Sequence, residues 1–211
     1  MLTWMDPVSL SDRPDFPSYV VEHSNVSNVA WHCYSGTSGW DVLTQFHNDH
    51  PNVDQWMTEC WLHLNSGENF FDLPDFFGGP LSNWARGVMA WTIGGSVDYD
   101  VAYQDGCAQC SGIIQVNRTS RTYEKTQDFY TLGQFSRFVH RGAHAINVTA
   151  GEHVYPDGTG VEVNAFINPN GKRIVVIRNM INAPLIVEVN FASGDAYVGE
   201  IKKRSVASWI L

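Results

Sequence analysis

A single carboxylate stands inside an apolar run: Glu59 in "DQWMTECW" (54–61), between Trp56, Met57 and Trp61. An ionised carboxylate is costly to bury unless something satisfies it. Two readings fit, a hydrogen-bonded structural group and a catalytic group at the end of a strand. Tyr34, with His32 two positions before it, lies 25 residues ahead of Glu59, and Trp91 lies 32 residues after it, each in a comparable apolar run. Those intervals match consecutive βα units, and in parallel α/β architectures functional side chains gather where strands end. Taken singly, His32 reads as a hydrogen-bonded core histidine and Trp91 as a core tryptophan. Together with Tyr34 and Glu59, at three successive strand ends, they define a candidate site. Aromatic rings beside polar side chains suit the apolar faces of sugars.

The elements that would carry these residues follow from the hydrophobic pattern. "VSNVAWHCY" (26–34), "QWMTECW" (55–61) and "GVMAWTI" (87–93) are short, apolar and rich in β-branched and aromatic residues, as buried strands are. Between the first two, Val42, Leu43 and Phe46 share a helical face, and Pro51 ends that helix. Between the second and third, "LSNWARG" (81–87) predicts a short helix closed by Gly87. Phe129, Leu132, Phe135 and Val139 predict a longer helix over 126–142, with His140 and Arg141 in its last turn and Gly142 as its stop. From 143 onward the period becomes two. "VEVNAFI" (161–167) alternates, "NPNG" (168–171) is a hairpin turn into "RIVVIRN", and "LIVEVNF", "AYVGEI" and "SVASWIL" follow. The expected fold class is therefore α/β plus all-β, a parallel α/β part over 1–142 and an antiparallel β-sandwich part over 143–211.

Bulk composition bounds the function. The chain has 211 residues, with 44% hydrophobic, 17% charged and a formal charge of −9. That balance describes a globular protein and disfavours nucleic acid or an anionic membrane surface as partner, since both need a positive field. No run reaches the roughly 18–20 apolar residues of a bilayer span. Asn25, Asn117 and Asn147 each open an N-glycosylation sequon, and the four cysteines are an even number, as in an oxidising compartment. The opening "MLTWMDPVSLSDRPDF" lacks the pattern of a secretory signal, so either the protein is not secreted or Met1 is not its natural start. Cys107 and Cys110, in a Gly-rich loop, have neither the helix start of a redox motif nor a second pair for zinc, and a structural disulfide fits them best. Cys33 and Cys60, at equivalent depths on neighbouring strands, can pair or stay as buried thiols. Asp98, Asp100 and Asp105 lack the spacing of a calcium loop and read as solvated. Trp40, Trp61 and His63 read as packing or surface residues. No metal or cofactor is expected.

The blocks "VAWHCYSG", "WMTECW", "NWARGVMAWTIGGS", "GCAQCSGIIQV" and "FYTLGQFSRFVHRGA" together resemble glycoside hydrolase family 30 in its barrel-plus-sandwich form, and fungal endo-β-1,6-glucanases and glucosylceramidase-like enzymes in particular. The resemblance runs over nearly the whole chain. It implies a (β/α)8 barrel packed on a β-sandwich and retaining hydrolysis of a β-glycosidic bond in a secreted enzyme. It implies Glu59, in the strand-seven "TE" block, as nucleophile, His32 and Tyr34 as the strand-six "H-x-Y" residues beside it, and Trp91 as a sugar-lining residue. Tyr34 is then expected to hold Glu59 ionised through a hydrogen bond.

The family's acid/base glutamate belongs to an Asn-Glu motif that this chain does not contain. The chain is accordingly expected to hold about strands six to eight of the barrel, with "MLTWMDP" a remnant of the strand-five region, and a sandwich without its N-terminal strand. Alone it is expected to be inactive. Endo-β-1,6-glucan hydrolysis is the leading expectation. Glucosylceramide hydrolysis by the same chemistry, and non-catalytic carbohydrate binding, are the alternatives.

Overall fold

A computed structural model describes residues 2–5, 16–32, 40–60, 73–98, 112–149, 151, 153–154 and 160–211. The chain divides into two compact units, Met1–Tyr130 and Thr131–Leu211. The division falls inside a helix, twelve residues before the hydrophobic period changes.

The first unit holds a four-stranded sheet whose strands lie in sequence order, β1 (Leu2–Met5), β2 (Asn28–His32), β3 (Asp54–Glu59) and β4 (Ala85–Val88). Every neighbouring pair is parallel. Helices α1 (Phe16–His23), α2 (Asp41–Asp49) and α3 (Leu73–Ser82) fall between them in the chain. Three of these strands fall in the apolar runs read as strands, and β1 falls in "MLTWMDP", the segment read as a remnant of the strand-five region. Parallel strands need both faces covered, and Val29, Ala30 and Trp31 of β2 are all buried. A polar chain ties the sheet to α2: the Trp31 indole N–H donates to Gln55 Oε1 at 3.0 Å, and Gln55 Nε2 donates to the Leu43 carbonyl at 2.9 Å. Gln55 is itself buried, so both halves of its amide are satisfied inside the core. Trp40 lies against Gly79 of α3, where a Cβ would have no room, so it is a packing residue.

The short helix expected over 81–87 is not formed. The real helix, α3, is longer and ends at Ser82. Trp84 then takes a left-handed φ of 72°, which breaks the helix, and the chain enters β4 at Ala85. Gly87 is therefore a strand residue, not a helix stop. A Cβ there would meet the Trp56 ring at 2.9 Å, so the glycine makes space for Trp56.

Beyond β4 lies a second, three-stranded sheet that the hydrophobic pattern had not indicated: β5 (Gly94–Ser96), β6 (Ile114–Asn117) and β7 (Thr122–Lys125). β5 and β6 are parallel, and β6 and β7 form an antiparallel hairpin.

The helix α4 (Gln127–Ser136) begins where expected but stops earlier, and residues 137–142 form turns. Asn168 explains the difference. Its Oδ1 accepts the His140 N–H at 2.9 Å and its Nδ2 donates to the Phe138 carbonyl at 2.8 Å, so the bonds of Phe138 and Val139 back to Phe135 are the last of the helical kind and the chain cannot wind on past His140. Gly142, with φ 84°, serves the turn that follows.

The second unit is a two-sheet β structure. One sheet runs β14 (Ser205–Ile210), β11 (Arg173–Asn179), β10 (Gly160–Ile167), β8 (His144–Ile146), with β9 (His153–Val154) also on β10. The other pairs β12 (Leu185–Asn190) with β13 (Ala196–Ile201). Ala165, Val175, Ile177 and Ile201 form the buried centre, with Val187, Val189 and Trp209 packed against it, so the period-two residues meet between the sheets as a sandwich requires. The expected "NPNG" turn is present, with Gly171 at φ 82° and its N–H on the Asn168 carbonyl at 2.8 Å. Glu162 and Arg178, directly opposite on β10 and β11, form a buried ion pair.

Candidate active site

The site residues that fall in described segments meet at the C-terminal ends of β2, β3 and the segment following β4. His32 ends β2 and Glu59 ends β3, and the two are register partners. The pairing steps from Trp31↔Met57 to His32↔Glu59, so β3 carries one extra residue, Thr58, at this point. A one-residue bulge changes which way the following side chain is aimed. Gln55 and Met57 are buried, while Glu59 past the bulge is half-exposed. The Thr58 hydroxyl donates to the Trp31 carbonyl at 3.4 Å across the same step.

Trp91 completes the row. Its N–H donates to the Cys60 carbonyl at 2.8 Å, and Met89 makes the equivalent bond to Met57, also at 2.8 Å, so the strand pairing continues past β4 to the position after Glu59. Trp91 is 48% exposed and is joined to Thr92 by a cis peptide bond. Met89, Trp91 and Ile93 alternate with more covered positions and are all exposed. Thr58 and this apolar stripe were not singled out from the sequence. The run "GVMAWTI" reads in the sequence as a buried strand, whereas the strand ends at Val88 and Met89, Trp91 and Ile93 are exposed.

Cys60 is disulfide-bonded. The other three cysteines, Cys33, Cys107 and Cys110, lie outside the described residues, as do Tyr34, Trp61, His63, Asp100 and Asp105. Asp98 is exposed, its N–H bonded to Ser96 Oγ at 3.2 Å, and among the described residues no group of three metal-ligating side chains occurs. No helix among the described residues is long and apolar enough to cross a membrane. Asn25 and Asn147 are exposed; Asn117 is half-buried at a hairpin tip, its Oδ1 accepting the N–H groups of Thr119 and Ser120.

Parallel strands ending in a carboxylate, a histidine and an exposed indole are thus followed in the chain by an antiparallel two-sheet unit. The fold is similar to that of the endo-β1,6-glucanase BT3312, with a TM-score of 0.79 at 22% identity over 95% of this chain and 45% of that one. It is also similar to SrfJ from Salmonella typhimurium, with a TM-score of 0.81 at 16% identity over 98% and 46%. Residues 142–209 match the glycosyl hydrolase family 30 β-sandwich domain. The endo-1,6-β-D-glucanase BGN16.3 of Trichoderma harzianum is 39% identical over 95% of this chain and 41% of its own length. The endo-1,6-β-D-glucanase of Neurospora crassa is 38% identical over 95% and 43%. The match to family 30 thus covers the sandwich part, and the likeness to these glucanases runs over nearly the whole chain. The chain spans about two fifths of the length of the curated relatives it matches.

Proposed function

We propose that the protein of which this chain forms part is a retaining β-glycoside hydrolase acting on β-1,6-glucan, with Glu59 as its nucleophile. The observation that carries this reading is the pairing of Glu59 with His32 across a bulge, beside the exposed Trp91. The relatives at 38% and 39% identity are named endo-1,6-β-D-glucanases, which supplies the substrate class. In this reading Glu59 attacks the anomeric carbon while a second carboxylic acid protonates the departing glycosidic oxygen. Water then hydrolyses the glycosyl ester with that acid acting as base. The second carboxyl group comes from outside this chain, which contains no Asn-Glu motif. His32 and Tyr34 bind and orient, and Trp91 offers its indole face to the sugar.

The four strands β1–β4 are read as one sector of a (β/α)8 barrel. Their uninterrupted sequential order supports this, because a doubly wound sheet reverses strand order at its switch point. Secretion fits the disulfide at Cys60, since such bonds persist in oxidising compartments.

The test is made on the full-length protein. Glu59→Gln is expected to lower turnover of β-1,6-glucan by on the order of 10⁴-fold or more while sugar binding persists. A 2-fluoro glycoside is expected to label Glu59, as peptide mass spectrometry would read. Label on another residue, or unchanged turnover in the variant, removes the assignment. Hydrolysis of glucosylceramide in preference to the glucan would move the substrate to the glycolipid class.

A further inference from the structure

The β6–β7 hairpin is built directly onto the segment that follows Trp91. The Ile113 N–H donates to the Thr92 carbonyl at 2.9 Å and the Ile114 N–H to the Ile93 carbonyl at 3.0 Å. β5 and β6 then run parallel, Gly94 opposite Ile114 and Ser96 opposite Val116. Gly95 and Gly112 leave no room for a Cβ, so the close approach of these strands depends on both glycines. The hairpin is thus fixed relative to Trp91.

Its surface is unusual for an exposed two-stranded ribbon. Tyr123, 67% exposed, stands directly opposite Val116, 40% exposed. Together with Ile114 and Arg121 they line an open concavity of about 540 Å³. Arg121 has a φ of 56°, a left-handed conformation that glycine or asparagine adopts far more readily than arginine. A side chain kept at such a position is a pointer to function. The turn around it is closed by Asn117 Oδ1, which accepts N–H groups of Thr119 at 3.0 Å and Ser120 at 2.9 Å.

We propose that this hairpin is a second sugar-binding platform, on which Tyr123 stacks against, and Arg121 hydrogen-bonds, a β-linked glucan chain whose other end lies on Trp91. The proposal rests on the glycosidase reading above. The occupant follows from continuity: Val116 and Tyr123 are level with Ser96, five positions past Trp91 along a chain that bends at Ile93, which is at most about 16 Å at the rise of an extended strand. A single sugar ring cannot reach both sites, but a chain can. A ring face and a planar fork of N–H donors suit a pyranose and its hydroxyls, with no charge required of the ligand. Contacts that far from the reacting bond act only on substrates long enough to make them.

The experiment compares full-length wild type with Tyr123→Ala, Tyr123→Phe and Arg121→Gly. Substrates are polymeric β-1,6-glucan and an aryl monoglucoside, and affinity electrophoresis in soluble glucan reads binding without turnover. Tyr123→Ala is expected to lower kcat/KM on the polymer roughly tenfold, a loss of about 1.4 kcal/mol. It should leave the monoglucoside unchanged, and Tyr123→Phe should restore the polymer rate. Arg121→Gly is expected to raise Tm while weakening retention in the gel severalfold. Equal losses on both substrates, or none on either, would overturn the platform. If wild type turns over no β-glucoside, the glycosidase reading fails. Gel retention that Tyr123→Ala leaves unchanged would then overturn the platform independently.

Discussion

The two units place irregularity differently. In the parallel sheet the register shifts twice, between Trp31 and His32, next to the strand ends that carry the candidate site, and between Gln55 and Met57, nearer the start of β3. In the sandwich unit β10–β11, β11–β14 and β12–β13 pair without a shift over their whole lengths. The first unit also specifies its core with a buried amide bridging an indole and a helix carbonyl, whereas the sandwich centre is aliphatic. A sheet that must aim side chains at a ligand tolerates extra residues at its ends. The sandwich sheet keeps its register throughout, even where β10 and β11 bury the Glu162–Arg178 pair opposite one another.

Substitutions in each core would sharpen or break that contrast. Ile177 is fully buried at the sandwich centre, and Ile177→Ala is expected to cost about 3 kcal/mol, in the usual range for truncating a buried aliphatic residue. Urea unfolding followed by a probe in each unit would report it, and a shift confined to the parallel-sheet signal would contradict the assignment of that residue to the sandwich core. Gln55→Ala should cost somewhat less, about 2 kcal/mol, because it strands the buried Trp31 indole N–H. Near-neutral stability of that variant would mean that the polar bridge does not specify the parallel unit.

The smallest effect is electrostatic. Hydrogen bonds from Arg173 at 2.7 Å and from Ser193 at 2.8 Å hold the Asp195 carboxyl below its ordinary pKa. A carboxyl with a lowered folded pKa stabilises fully above its unfolded value, near 4, and that contribution fades as pH falls through the folded value. Asp195 is half-exposed, so the contribution is minor. Asp195→Asn should flatten the loss of stability between pH 5 and 2 slightly; an identical pH profile for the two proteins would show that the pair is energetically silent.

Legibility differed between the units for the same physical reason. β12 and β13 alternate, β11 is a short apolar run, and "NPNG" carries hairpin turn chemistry, so β10 to β14 could be read directly. The parallel strands could be found as apolar runs, and Glu59 stood out because a charge inside one demands an explanation. What could not be read was set by distant partners. Asn168 shortens α4 from about 30 residues away. Trp84 ends α3 by adopting a backbone conformation that no local signal announces in a tryptophan. The β6–β7 hairpin escaped notice because "NRTSRT" lacks the Asn-Gly or Asp-Gly signature, its turn being closed by the Asn117 side chain instead. The bulge at Thr58 left no mark in residue types at all.

Asn168 has a practical consequence. Surface hairpin turns are usually the first places to accept a tag, a label or an inserted domain. Here the residue that opens the turn also clamps the backbone at Phe138 and His140, so splicing foreign sequence beside it would tug on the exit of α4. The bend at Ser193–Gly194, on the same unit, is closed by its own bonds to Phe191 and by the Arg173–Asp195 pair, with no clamp on a distant segment's backbone in those bonds, and is the safer graft point.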